Sequence, residues 1–250
     1  MDDLAVIILA AGEGKRFNRG NPSMRPKVLL KIAGKSIITY SLETIKKFRS
    51  GQVIIVVGHK AEELKKALGS KYEYALQEKA LGTADAVRCA VSVLKSKISK
   101  VLVLYGDDSA FYNFRTLKSV VSKHDSGKYD LTFITLFKRN PSGLGRIIRT
   151  KGGSLLKIVE EKIATSEERK ICEVNDGCYV FEKNWLRENV SKVNMSESGE
   201  YYLTDLVAIA LSQGKKVAAF RLKNENEWAS VNFPKELEYA DQLMRKKVEN

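Results

Sequence analysis

An apolar run, LAVIIL at 4–9, empties into a segment carrying Gly12, Gly14, Gly20, Pro22 and Pro26 together with Lys15, Arg16, Arg19, Arg25 and Lys27. Ordering so flexible and self-repelling a loop costs free energy, so a strongly negative partner is expected to sit in it. Gly12 and Gly14 let the backbone come close to a ligand and turn N–H groups toward an anion. Arg16 offers a two-pronged fork to phosphate oxygens and Lys27 a compact charge, with Pro26 restricting the backbone immediately before it. The chemistry these residue types suit is phosphate binding. Two familiar phosphate motifs are excluded. The dinucleotide fingerprint needs a third glycine where Phe17 stands, and Gly34-Lys35-Ser36, which imitates the end of a P-loop, has Leu29 where that loop needs its first glycine. Asp107 follows the apolar run VLVLY at 101–105 with Gly106 before it, a placement that presents a carboxylate at the edge of a sheet. His59 and His124 are the only histidines, and no Ser-His-Asp arrangement competes.

Gathering these residues requires strands that end at one edge. Segments 4–9, 53–57 and 101–105 are apolar on both faces, as buried parallel strands are, and 72–77 reads as a further strand. Between them, 37–48 has Ile38, Leu42 and Ile45 at helical spacing, 62–68 reads as a short helix, and 83–94 as a helix after Gly82 with Thr83 as its N-cap. This alternation predicts a three-layer α/β/α sandwich around a mostly parallel, Rossmann-like sheet, with ligands at the carboxyl edge. Beyond residue 130 the pattern changes: 131–137, 145–150, 155–160 and 174–181 read as strands, with Lys151-Gly152-Gly153 as a hairpin turn. They predict a small antiparallel lobe closing over the sheet edge. Late helices are expected at 202–213 and 234–248. The 250 residues thus read as one domain: a lobe over about 1–125, an antiparallel lobe over about 126–230, and a C-terminal helix at 234–249.

With 44% hydrophobic and 29% charged residues, the composition is that of a soluble globular protein. The net charge of +13 invites a polyanion, but the lysines are spread along the chain and interleaved with glutamates, as in KAEELKK at 60–66. A phosphorylated small molecule is therefore expected rather than nucleic acid. Cys89, Cys172 and Cys178 lack metal-type spacing and read as reduced thiols. The acidic start MDDLAVIILAAGEG is not a signal peptide, and no run has membrane-spanning length; a cytoplasmic location and no membrane contact are expected.

LAAGEGKRF followed by Pro26-Lys27 resembles the signature of the sugar-1-phosphate nucleotidylyltransferases. Gln77 before LGTADAV, YGD at 105–107, GLGRI at 143–147, VEEK at 159–162, EVNDG at 173–177 and GEYYLTDL at 199–206 extend the resemblance in order over nearly the whole chain. Together they are most similar to the N-acetylglucosamine-1-phosphate uridylyltransferase domain of the bifunctional GlmU proteins. The resemblance implies a Mg²⁺-dependent transfer: an oxygen of N-acetylglucosamine 1-phosphate attacks the α-phosphorus of UTP, giving UDP-N-acetylglucosamine and pyrophosphate. It implies Arg16 and Lys27 as catalytic residues and Asp107 and Asn232 as Mg²⁺ ligands. The nucleotide would be held by Leu9, Ala10, Ala11, Gly12, Gly14, Gln77, Gly82, Thr83, Tyr105 and Gly106. The sugar would be held by Gly145, Glu160 and Asn175, with Lys162 facing either the sugar phosphate or solvent beside Glu161. An amide such as Gln77 offers both donor and acceptor to a uracil edge. Phe233-Pro234 puts Asn232 at a junction between extended chain and the last helix.

The chain departs from that pattern in several places. Lys15 stands where Thr or Ser is usual, the segment 18–25 is long, Asp108 replaces an apolar residue, Asp176 replaces Thr, and WASVNFP at 228–234 lacks a Gly-Val-Asn run. These departures leave the sugar and base open: glucose 1-phosphate, or thymidylyl or cytidylyl transfer, are alternatives, as is a non-catalytic nucleotide-sugar regulator. No hexapeptide repeats are present, so no acetyltransferase β-helix is expected in these residues. The sequence does not specify an oligomeric state.

Overall fold

The computed structural model describes residues 1–14, 17 and 25–249. Its strands are β1 (Leu4–Leu9), β2 (Lys31–Ile32), β3 (Lys35–Ser36), β4 (Gln52–Val57), β5 (Glu73–Leu76), β6 (Lys100–Tyr105), β7 (Leu131–Phe137), β8 (Arg146–Arg149), β9 (Leu155–Val159), β10 (Glu173–Glu182) and β11 (Val217–Arg221). The described helices are α1 (Ile37–Lys46), α2 (Ala61–Leu68), α3 (Thr83–Val91), α4 (Phe114–Gly127), α5 (Lys183–Asn189), α6 (Asp205–Ser212) and α7 (Pro234–Glu249). The main sheet runs β11-β7-β10-β6-β1-β4-β5, with β8 pairing β10 and β9 pairing β8; β2 and β3 make a separate hairpin. Strands β5, β4, β1 and β6 are mutually parallel, as is β11 to β7, whereas β10 runs antiparallel to both its neighbours.

The continuous apolar strands follow from helices on both faces. Along β1, Ala5 and Ile7 pack with Ala84, Val87 and Ala90 of α3 on one side. Val6 and Ile8 pack with Ile38, Leu42 and Ile45 of α1 and with Leu117, Val120 and Val121 of α4 on the other. Successive side chains point to opposite faces, so every position of such a strand must be apolar. A third cluster joins Phe17, Ile32, Ile37 and Tyr40 to Ala240 and Met244, which seats α7 against the start of the chain.

The antiparallel strands do not simply close over the sheet edge as the sequence suggested. β7 and β10 continue the central sheet, and the hairpin β8–β9 projects from β10. Besides the short β2–β3 hairpin, helices α4 and α5 and strand β11 were not anticipated. α4 buries only Leu117, Val120, Val121 and His124 of its 14 residues, a stripe diluted by lysine and serine. α5 is capped by the Glu182 side chain, which accepts from Asn184 N–H and Trp185 N–H, instead of by one of the short N-cap residues. Edge strand β11 (VAAFR) carries two alanines and little β propensity of its own. At α3 the N-cap is Gly82, with no side-chain cap, and Thr83 is the first helical residue.

Candidate active site

The carboxyl ends of β1, β5 and β6 and the N-terminus of α3 form one wall of a cavity of about 600 Å³. The other wall comes from residues 143–145 before β8, 160–162 after β9, 175–177 within β10 and 230–232 before α7. The cavity brings together Leu9, Ala10, Ala11, Gly12, Gly14, Lys27, Gln77, Gly82, Thr83, Tyr105, Asp107, Gly145, Glu160, Lys162, Asn175 and Asn232. Arg16 lies outside the described residues. Gly106 is not part of the lining: its N–H donates to Leu9 O at 2.9 Å, and a Cβ there would stand 2.8 Å from that same oxygen. Its glycine is explained by the close approach of β6 to β1.

Charge is concentrated where Lys27 meets the end of β6. Lys27 opens a 3₁₀ turn, Lys27–Leu29, directly after extended Pro26. Its Nζ forms an ion pair with Asp107 and donates to Asn232 Oδ1 at 3.1 Å. Two oxygen acceptors that lie 125 residues apart in sequence (107 and 232) thus converge on a single cationic group. Asn232 is fixed from behind, because its N–H and that of Phe233 donate to Glu236 Oε2 at 2.5 and 3.2 Å in the first turn of α7. This is a reach-back from helix to preceding chain of the capping-box kind. Among the described residues no group of three or more His, Cys, Asp or Glu side chains is arranged to hold a metal ion.

At the same carboxyl edge, directly after β5, Gln77 is buried and its amide nitrogen donates to Gly82 O at 3.0 Å and to Asp85 Oδ2 at 2.8 Å. Both amide hydrogens are therefore spent within the protein, and the side-chain oxygen is what remains for a ligand. Gly82 adopts φ +104°, and a Cβ would meet Tyr201 O at 2.5 Å. That contact is part of a latch in which Tyr201 N–H donates to Leu81 O, Ala84 N–H to Tyr201 O and Leu203 N–H to Thr83 Oγ1.

The register of three strands aligns the remaining candidates. Arg146 is opposite Val159 of β9 and Val174 of β10, so Gly145, Glu160 and Asn175 fall side by side at the next position. Asn175 N–H donates to Gly145 O at 2.9 Å. A Cβ on Gly145 would crowd Ile158 Cγ2 at 3.1 Å and touch Glu160 Oε1 at 3.5 Å. Glu160 Oε1 accepts from Thr204 Oγ1 at 2.9 Å, and the buried Oδ1 of Asn175 has no partner among the described residues. Lys162 is paired with Glu200 at 2.7 Å and not with Glu161, whose partners are Arg146 and Arg169.

Two lining residues were visible in the sequence only as departures from a pattern. Asp108 and Asp176 come together beside Trp228, whose Nε1–H donates to Asp176 O at 3.3 Å. Burial, then the charges of Asp107 and Asp176, push the Asp108 carboxyl well above the usual carboxylate range. Burial raises Asp176 to about 7, against a hydrogen bond from Cys178 N–H to its Oδ1 at 3.1 Å. Trp228 and Ser230 stood out in the sequence only as part of the departing segment 228–234, and it is the fold that returns that loop to the cavity.

With this fold and cavity in view, the nucleotidyl transferase family model matches residues 5–244. The chain belongs to the nucleotidyl transferase family. Bifunctional protein GlmU of Acetivibrio thermocellus is 39% identical over 249 residues, covering 99% of this chain and 53% of the relative. The GlmU of Caldicellulosiruptor saccharolyticus is 42% identical over 245 residues, covering 97% and 52%. The chain therefore spans about half the length of these curated relatives. Among solved structures, a putative glucose-1-phosphate thymidylyltransferase from Bacillus anthracis superposes with a TM-score of 0.81 at 20% identity, covering 97% of this chain and 95% of that one. A UDP-glucose pyrophosphorylase bound to UDP-glucose gives 0.80 at 18% identity, covering 97% and 98%. Both likenesses establish the fold.

Proposed function

We propose that the cavity transfers a uridylyl group from UTP to N-acetylglucosamine 1-phosphate. An oxygen of the sugar phosphate forms a bond to the α-phosphorus while the bond to pyrophosphate breaks, so the nucleotide sugar and pyrophosphate leave. The observation that carries the reading is that one cavity holds both the Lys27–Asp107–Asn232 cluster and the Gly145–Glu160–Asn175 row. Two polyanions must meet in such a reaction, and fixed positive charge with in-line positioning supplies most of the catalysis. Lys27, and Arg16 by resemblance, would offset phosphate charge. Residues 9–14 and the start of α3 would hold the nucleotide. The Gln77 side-chain oxygen would accept from the N3–H of uracil; thymine offers the same hydrogen, whereas cytosine offers none there. Asn175 Oδ1 and the Glu160 carboxylate would accept from the sugar's hydroxyl or acetamide hydrogens.

The donor set suits Mg²⁺: a carboxylate from Asp107 and a carbonyl oxygen from Asn232, both hard ligands, leaving other positions to water and substrate phosphates. When bound, the ion would neutralise phosphate oxygens. In the test, pyrophosphate release is measured for UTP, dTTP and CTP against N-acetylglucosamine 1-phosphate, glucose 1-phosphate and glucosamine 1-phosphate, with and without Mg²⁺. The expected result is fastest turnover with UTP and N-acetylglucosamine 1-phosphate, and loss of that turnover in Asp107→Ala with nucleotide binding partly retained. Preference for another pair would overturn the substrate assignment, and no turnover with any pair would favour a regulator.

A further inference from the structure

We infer that Arg146 is the positioning residue of the acceptor end of the cavity, a step that rests on the assignment of Gly145, Glu160 and Asn175 to the sugar phosphate. Arg146 is 1% exposed, which is rare for arginine outside a paired environment. Its backbone occupies the point where β8 pairs simultaneously with Val159 of β9 and Val174 of β10. Each of the three candidate sugar residues is the chain neighbour of one member of that trio. The guanidinium ties down the loops that carry them. It donates to Leu144 O, to Glu161 Oε2 at 2.5 Å and to Arg169 O at 3.4 Å.

Leu144 precedes Gly145 and Glu161 follows Glu160, so one planar group sets the separation between the two. A lysine would offer its three N–H groups from a single freely rotating nitrogen, whereas the guanidinium reaches Leu144 O from Nη1 and Glu161 and Arg169 O from Nη2 in one fixed plane. Glu161 is also held from outside by Arg169, at 3.8 Å. Arg146 does not line the cavity, and its effect on substrate must pass through these neighbours.

The test compares steady-state constants of wild type, Arg146→Lys, Arg146→Met and the milder Glu161→Gln, using the best acceptor from the substrate panel, with thermal melting of each. Misplacing a binding group by about an ångström costs up to about a hundredfold. Arg146→Met is expected to raise KM for the sugar phosphate by about 10- to 100-fold, with KM for the nucleoside triphosphate within about twofold. Arg146→Lys should recover part of the loss, and Glu161→Gln should shift the same constant less. Equal rises in both KM values, or folded variants with unchanged sugar-phosphate KM, would overturn the assignment of Arg146 alone. A wild type without turnover on any pair would overturn the function proposed above and this inference with it.

Discussion

Asp176 is 2% exposed, its Oδ2 has no partner among the described residues, and Asp108 faces it with a likewise unsatisfied Oδ1. Burial raises the Asp176 carboxyl to about 7 from 3.8. For an acid with a raised folded-state pKa, the folded state binds more protons than the unfolded chain between those two values. Stability therefore falls as pH rises from about 4 to about 7 and then levels off, a penalty on the order of a few kcal/mol. Asp108, shifted in the same direction, adds to the same slope. Asp176→Asn keeps an oxygen for the Cys178 N–H and removes the charge. It is expected to melt higher than wild type at pH 8, with the gap closing toward pH 4; a gap independent of pH would contradict the assigned burial. The sequence marked both aspartates as unusual but gave no hint that they share one buried site. Lys27 and Asp107 stood out in the sequence because a charge next to Pro26 and a carboxylate after an apolar strand suit a ligand site, and the fold brings the two into one ion pair.

At the scale of elements, the site depends on where regular structure is interrupted. β10 changes register against β7 between Asn175 and Tyr179, and Gly177 in that bulge has φ +87°. A bulge bends the strand and redirects its side chains, here at the position from which Asn175 enters the cavity. A Cβ on Gly177 would stand 2.5 Å from Tyr105 Cδ2. Gly177→Ala is therefore expected to cost about 1–3 kcal/mol from backbone strain, measured by denaturant unfolding. It should also displace Tyr105 and weaken nucleotide binding. An alanine variant with unchanged stability would remove the case for that constraint. The parallel strands and α1, α2 and α3 were legible because burial on both faces or on one stripe leaves a periodic trace. α4, α5 and β11 were not, since their apolar content is sparse and neighbouring elements decide their state.

Across the whole molecule, one nine-stranded sheet supports both ends of the cavity, so substrate contacts at the two ends should be separable. Glu160→Gln, which retains an acceptor for Thr204, is expected to raise KM for the sugar phosphate by about tenfold while KM for UTP changes less than about twofold. Gln77→Met should do the reverse, because the amide that orders Gly82 and Asp85 is lost. Steady-state kinetics with each substrate varied in turn checks both. Paired increases in both constants for both variants would show that the ends are not independent. The charge of +13 bears on this scale as well: it would raise the local concentration of the proposed anionic substrates without directing them to any one residue.

Taken by itself, the sequence determined the class of architecture and the order of the first strands and helices, and it marked a loop rich in glycine and basic residues as a candidate phosphate site. Those features are local or periodic, and each is written within a window of a few residues. The tertiary structure decided what long-range pairing alone can fix. Asn232 meets Lys27 and Asp107 because α7 packs on the hairpin β2–β3 and on α1. Gly145, Glu160 and Asn175 stand in one row because three antiparallel strands share a register at Arg146. A one-residue slip would turn each of these side chains to the other face, and only the packing of the whole chain excludes it.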